Sequence, residues 1–332
     1  MRAVVMTKHG GPGVLEVQER PDPELGPGQV RIDVAAAGVN FADVMARMGL
    51  YADAPKPPCV VGYEVAGTIL ELGEGVEGLT HGQRVVAGTK FGGYASQVVV
   101  PANDLVGLPD ELTFEQGAAI QVNYTTAWTG LVDYGNLEAG QRVLIHSAGG
   151  GVGIAATQIA RRLGAEVYGT ASPGKHEQIS GLGCEHPVDY TRAGWEKDLP
   201  KFDVILDAVG GKSFRTSYSL LRPGGRLIAY GASAVVSGQR RNLVTALRTV
   251  ARMPRFNLIK QMSESKAVIG LNMLSLWKER GTLEPAFAAL RPLLEDGTIK
   301  PVVAEAFSFD DAGAAQTMIT ERRNVGKVVL VP

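Results

Sequence analysis

The sequence has few residues that could crosslink the chain or bind a metal. Of 332 residues, only two are cysteine, Cys59 and Cys184, and five are histidine. Two thiols so far apart cannot build a disulfide framework or a four-cysteine zinc lobe, and they suit a compartment that keeps thiols reduced. A charge excess is also missing, because 33 basic and 34 acidic residues leave a net charge of −1. That balance excludes the general electrostatic attraction behind nucleic-acid binding. Long apolar runs are absent too. The opening residues, Met1 to His9, break into charge and are followed by glycine before a signal-peptide core can form. The least polar stretch, 143–160, contains His146, Ser147, Gln158 and a cluster of glycines, so it reads as a buried strand and helix and not as a membrane span. The expectation is a soluble cytoplasmic protein with no nucleic-acid partner and no stable membrane insertion.

Glycine is abundant. Its 42 occurrences are nearly twice the usual share of about 7% and imply many tight turns and close backbone approaches. The length suits about two domains of roughly 150 residues each. Short β-type runs at 3–6, 30–35, 60–72, 84–87 and 96–100, separated by Gly and Pro, predict a β-rich domain. One helix interrupts it at 40–48, opened by the capping type Asn40 and closed by Gly49, and a loop at Tyr51 follows. From about Asn123, strands at 143–146, 166–170, 186–189, 204–209, 226–230 and 268–272 alternate with helices, which requires a parallel sheet. A helix at 285–295, a strand at 302–307, a helix at 310–322 and a strand at 327–331 are expected to rejoin the first domain. The expected division is therefore 1–122 with 275–332, and 123–274. A basic run, Arg240-Arg241-Asn242 followed by Arg248, Arg252 and Arg255, reads as a solvated helix face. The balanced net charge and the absence of a lipidation signal weaken the alternative of an anionic surface.

The stretch from Val143 to Gly153 is a buried-type strand feeding a glycine turn, with a periodic helix behind it. In that context Ala148, Gly149, Gly150, Gly151, Val152 and Gly153 read as a dinucleotide fingerprint. Gly150 would let the backbone approach a pyrophosphate, Gly153 would let helix and strand pack closely, and the helix amides would bind the anion. About 20 residues downstream, an NAD site usually presents a carboxylate to the ribose. Here the strand end is Thr170-Ala171-Ser172, with Lys175 after it. Ser172 can donate a hydrogen bond and Lys175 supplies a charge, which favours NADPH. Tyr190 is a candidate to close the same pocket.

The segments Ala37-Gly38-Val39-Asn40-Phe41-Ala42-Asp43, Gly62-Tyr63-Glu64-Val65-Ala66-Gly67 and His81-Gly82-Gln83-Arg84-Val85, taken with the glycine turn, resemble the medium-chain dehydrogenase/reductase superfamily. Within it the chain is similar to the zinc-independent quinone oxidoreductases, and Arg241-Asn242-Leu243 with Val268-Ile269-Gly270 resembles the vesicle amine transport protein branch. The resemblance implies an α/β protein, with a GroES-like β-rich catalytic domain and a Rossmann domain built on a doubly wound parallel six-stranded sheet. Where zinc-dependent relatives have Cys, His and Cys, this chain has Asn40, Tyr63 and Val122, so no metal is expected. The other histidines, His146 among them, are expected at surfaces or turns. By resemblance, Asn40 and Tyr51 lie near the reacting ring and Tyr63 occupies the lost ligand position, either as a hydrogen-bond donor or as a space-filling wedge. Asp43 and Glu64 are expected to pair structurally with Lys327. Thr126, Val209, Gly231, Asn324 and Asn40 match cofactor-contacting positions. The apolar edge Val268 to Met273 is expected to pair two copies in a homodimer. Three functions are weighed. They are NADPH-dependent quinone reduction, reduction of an α,β-unsaturated carbonyl such as an enone or enoyl thioester, and NADPH-dependent association or regulation with little turnover.

Overall fold

Buried Val30, Ile32 and Val34 alternate with more exposed residues along the strand Gln29–Val39, so one face is committed to a core. In the computed structural model, which describes residues 1–236, 238–240 and 242–332, this strand is central to a seven-stranded sheet. Glu64–Leu72, Gln97–Pro101 and Lys327–Val331 each pair with it antiparallel. Arg84–Gly88 and Leu105–Gly107 extend the sheet on one side, and Val303–Ser308 joins Lys327–Val331 in parallel on the other. A smaller sheet sets Arg2–Met6 between Leu15–Glu19 and Cys59–Val60. Ile32, Val65, Phe309 and Leu330 are among the buried core residues here. This first unit comprises Met1–Thr125, Gly238–Arg241 and Leu274–Pro332, and the second comprises Thr126–Ser237 with Asn242–Met273.

The second unit holds six strands: β1 (Arg142–Ile145), β2 (Glu166–Ala171), β3 (His186–Asp189), β4 (Phe202–Asp207), β5 (Leu221–Ala229) and β6 (Ala267–Gly270). All pair in parallel, in the order β3-β2-β1-β4-β5-β6. This is the doubly wound order, in which the winding reverses at β1 and ligands bind outside the carboxyl ends of the strands. Helix α1 (Gly151–Arg162) follows β1 directly. Leu144, Phe202, Ile205 and Leu227 form part of a buried cluster in this unit.

The chain departs from its sequence pattern where a side chain captures backbone. The expected strand at 60–72 breaks into Cys59–Val60 and Glu64–Leu72. Gly62 lies between them at φ 103°, and its amide donates to Asp43 Oδ1 at 3.0 Å. The strand expected at 204–209 ends at Asp207 because that carboxylate accepts the amides of Val209 and Gly210. The strands Leu15–Glu19 and Leu105–Gly107 are additions to the expected set. The basic run forms helices α2 (Leu243–Ala251) and α3 (Leu258–Glu264), while Arg241 lies outside the described residues.

A Cβ on Gly67 would lie 2.0 Å from the Asp33 carbonyl oxygen, where the pairing of Gln29–Val39 with Glu64–Leu72 shifts register. Backbone cannot yield as a flexible side chain would. Gly67→Ala should therefore cost about 1–3 kcal/mol, read as a lower midpoint in thermal unfolding.

Candidate active site

Asn40 ends the central strand and opens the helix Phe41–Arg47, where its extended backbone lets its N–H donate to Asp43 Oδ2 at 2.8 Å. The antiparallel register Val328↔Val39 brings Lys327 alongside. The Lys327 ammonium donates to Asn40 Oδ1 at 2.7 Å and to Glu64 Oε1. Asn40 Nδ2 donates to Glu64 Oε1 at 3.1 Å, and the Val122 amide donates to Glu64 Oε2 at 2.8 Å. Glu64 is fully buried and Lys327 is 4% exposed, so their opposite charges are compensated inside the protein. Glu64 thus pairs with Lys327, and the Asn40 side chain is committed to both.

Asp43 belongs to a neighbouring cluster. Besides Asn40 and Gly62, it accepts the Tyr94 hydroxyl at 2.9 Å. Complete burial pushes its carboxyl up to about 7, and these donors and the Lys327 charge offset only part of that rise. The Tyr63 ring packs against Tyr51 at 6.5 Å and against Phe91 at 5.0 Å between centroids. Its hydroxyl is buried without a hydrogen-bond partner. Burial above all, then the Asp43 charge and the Tyr51 phenol, hold its ionisation far above that of an ordinary phenol, so it remains a proton-bearing donor. A zinc ion does not fit these residues. Asn40, Tyr63 and Val122 offer neither thiolate nor imidazole, Lys327 already neutralises Glu64, and among the described residues no group of three His, Cys, Asp or Glu could hold a metal.

In the second unit the chain leaves β1 through Ser147, left-handed at φ 58°, and the Ala148 amide donates to the Thr170 carbonyl at 3.0 Å. Gly150 caps α1, and its own amide donates to the Ser147 carbonyl at 2.8 Å. A Cβ on Gly153 would meet that carbonyl oxygen at 2.4 Å, and one on Gly150 would meet it at 3.2 Å. Only glycine permits this turn at 153. Ala148 and Gly149 are buried behind it, while Gly151 and Val152 begin the helix partly exposed. A helix amino end at the carboxyl end of a central strand fits a pyrophosphate.

Beneath the turn lies a network that sequence reasoning missed. The Thr170 hydroxyl accepts the Ser147 amide at 3.2 Å and donates to His146 Nδ1 at 3.3 Å. His146 Nε2 donates to Ser217 Oγ at 3.0 Å, and Ser217 and Ser213 each donate to Asp207 Oδ2 at 2.7 Å. This donor order fixes the imidazole as the neutral Nε2–H tautomer, and burial pushes its pKa down. The expectation that His146 sits at a surface or turn edge is therefore corrected, since it is 3% exposed and ties the loop after β1 to the loop after β4. Its signal was faint: two serines one helical turn apart, after an Asp that ends a strand. Thr170 supports the turn from below.

The remaining candidates lie as follows. Ser172 is partly exposed just past β2, and its carbonyl accepts the Lys175 amide at 2.9 Å, while Tyr190 is exposed just past β3. Asp189 stands opposite Ala171 in register and was also missed. The Thr191 hydroxyl and amide bind its carboxylate and hold it below its ordinary range. Val209 is partly exposed, and Gly231 approaches Ala208 so closely that a Cβ would stand 3.0 Å from its carbonyl. Thr126 is buried on the helix Gln121–Trp128. Asn324, in the first unit, donates to the Gly326 carbonyl at 2.8 Å.

Two family models match the chain: an alcohol dehydrogenase GroES-like domain over residues 26–110, and a zinc-binding dehydrogenase over 182–330. The human synaptic vesicle membrane protein VAT-1 homolog is 37% identical over 340 aligned positions, which span the whole of this chain and 86% of that protein. The chain belongs to the medium-chain dehydrogenase/reductase superfamily, in its VAT-1-like quinone oxidoreductase branch. Among solved members of this superfamily, the quinone oxidoreductase from Thermus thermophilus, described also in complex with NADPH, is 32% identical with a TM-score of 0.82, covering 100% of both chains. The CurK enoyl reductase is 25% identical with a TM-score of 0.84, covering 99% of this chain and 98% of its own.

Replacing Lys327 by Met should strand the buried Glu64 carboxylate and cost about 3–5 kcal/mol in urea unfolding. Adding Glu64→Gln should restore most of that loss, and a double variant no better than the single would contradict the pairing. For Asp43, a carboxyl near 7 when folded and 3.8 when unfolded keeps its proton where the unfolded chain has released it. Stability should therefore fall as pH rises across that window. Unfolding at about pH 5 and about pH 7.5 should show a shallower fall for Asp43→Asn than for the wild type.

Proposed function

We propose that this protein is a zinc-independent reductase that uses NADPH to reduce a quinone. When bound, NADPH supplies the hydride. The amides at the start of α1 hold its pyrophosphate, with Gly150 keeping the approach clear and Gly153 permitting the tight turn. Ser172 and Lys175 take the 2′-phosphate, and Tyr190, Val209 and Gly231 border the same dinucleotide. The observation that carries this reading is the Tyr63 hydroxyl, a protonated donor buried without a partner. An unmet buried donor costs about 1–3 kcal/mol, which an acceptor oxygen would relieve. A quinone is already electrophilic and needs no Lewis acid. It needs only a donor where negative charge develops on oxygen, and Tyr63 fills that role beside Tyr51 and the fixed amide of Asn40. The likeness to the Thermus thermophilus quinone oxidoreductase and its NADPH complex supports this assignment. The likeness to the CurK enoyl reductase favours a second reading, in which an enone or enoyl thioester accepts the same hydride. Strand β6 pairs only with β5 among the described strands, and its free edge is the proposed seam of a homodimer.

The test compares NADPH and NADH oxidation by chelator-treated protein against a panel of quinones and enones. Metal-independent, NADPH-selective turnover is expected, with the preferred acceptor ranking the two readings. Lys175→Ala should raise the NADPH dissociation constant by about tenfold or more and leave NADH unchanged, as loss of a charge-assisted hydrogen bond implies. Tyr63→Phe should lower kcat/KM by about a hundredfold. NADPH binding with no turnover on any acceptor would instead favour the association role.

A further inference from the structure

Tyr63 follows a glycine, which by itself would leave the phenol poorly aimed. Gly62 sits at φ 103°, and a Cβ there would stand 2.6 Å from the Tyr94 ring, so no side chain can stiffen this turn. Nor does the Tyr63 hydroxyl, buried without a partner, hold the ring by its far end. Beyond the ring contacts with Tyr51 and Phe91, its direction is set by the two planar peptide groups on either side of its Cα. One residue bonds both. The Thr89 hydroxyl donates to the Gly62 carbonyl at 3.0 Å, and the Thr89 amide donates to the Tyr63 carbonyl at 2.8 Å. The Gly93 amide also reaches the Gly62 carbonyl, at 3.2 Å. Thr89 is 5% exposed, so water does not compete for these bonds.

Thr89 itself stands on a firm base. The ladder between Arg84–Gly88 and Glu64–Leu72 ends with Gly88 opposite Glu64. Thr89 carries the pairing one residue further through its amide, and its hydroxyl then serves the next carbonyl where no ladder N–H is left to do so. Behind it, Gly88 lies flush against Trp277 and Leu283, since a Cβ would meet their side chains at 2.9 and 2.6 Å. Asp104, 1% exposed, holds that backing in place. Its carboxylate accepts Trp277 Nε1 at 3.0 Å and the Leu283 amide at 2.8 Å, and its carbonyl accepts the Gly88 amide at 3.1 Å. On its other side Thr89 leads through Lys90 to Phe91, whose ring rests on Tyr63. We propose that Thr89 is a positioning residue, which fixes the peptide planes before and after Tyr63 and so aims the phenol at the oxygen being reduced. The inference rests on the donor role proposed above for Tyr63.

Thr89→Val removes the hydroxyl and keeps the shape of the side chain. With NADPH and 1,4-benzoquinone it should lower kcat about tenfold and leave KM within about twofold, because an aimed donor acts on charge that develops in the transition state. Thr89→Ser should keep a kcat near that of the wild type. In a Tyr63→Phe background, Thr89→Val should change kcat by less than about twofold, since no hydroxyl is left to aim. An equal fall in both backgrounds would make Thr89 a scaffold residue and overturn the proposal. A second readout is independent of turnover. With 3-fluorotyrosine in place of the nine tyrosines, the Tyr63 fluorine resonance is the one lost in Tyr63→Phe. Thr89→Val should broaden or split it, and Thr89→Ser should leave it as in the wild type. An unchanged resonance in Thr89→Val would likewise overturn the proposal. Full turnover by Tyr63→Phe would instead sink the donor role of Tyr63, and the fluorine signal would still decide whether Thr89 aims the ring.

Discussion

The first unit depends on one buried ion pair. Lys327 and Glu64 are out of water, and their charges are tolerable only because each is met by the other, by the Asn40 carboxamide and by the Val122 amide. Four separate chain segments therefore have to be in place together. The central strand, the helix that Asn40 opens and the last strand all take their positions from this point. A metal would compete with Lys327 for Glu64.

Around this fixed centre, the polar groups sort into those that hold the structure and those left over. Asn40, Glu64, Lys327 and Asp43 have met their hydrogen-bonding needs within the protein. The Tyr63 hydroxyl has not. The second unit shows the same economy, with Thr170, His146, Ser217 and Asp207 forming a fully oriented chain that holds two loops from below.

How much could be read from the sequence follows how local each feature is. The glycine turn was legible because strand, turn and helix are adjacent in the chain and Gly153 has a steric reason to be glycine. The parallel sheet was legible from alternation over short segments. The His146 to Ser217 contact spans 71 residues and has no periodic signature, so it was not seen. The break at Gly62 was hidden because its cause, Asp43, lies 19 residues earlier. The exposed face of α2, which carries Leu243, Leu247 and Val250, was missed for a different reason. A helical stripe of Leu and Val looks the same whether it points toward a core or away from it, and only the packed structure shows which.

The long central strand also bears on the order of assembly. Asn40 and Lys327 touch across 287 residues, so the strand Gln29–Val39, though translated early, must wait for its last partner until almost everything between has been made. Most of the second unit, by contrast, is one uninterrupted stretch, Thr126–Ser237, whose strands pair mostly with near neighbours in the chain. On a ribosome the nucleotide-type unit can close while the β-rich unit is still missing an edge. In that interval the nascent first unit exposes the unpaired backbone of an apolar strand, and a chaperone would find its binding site there.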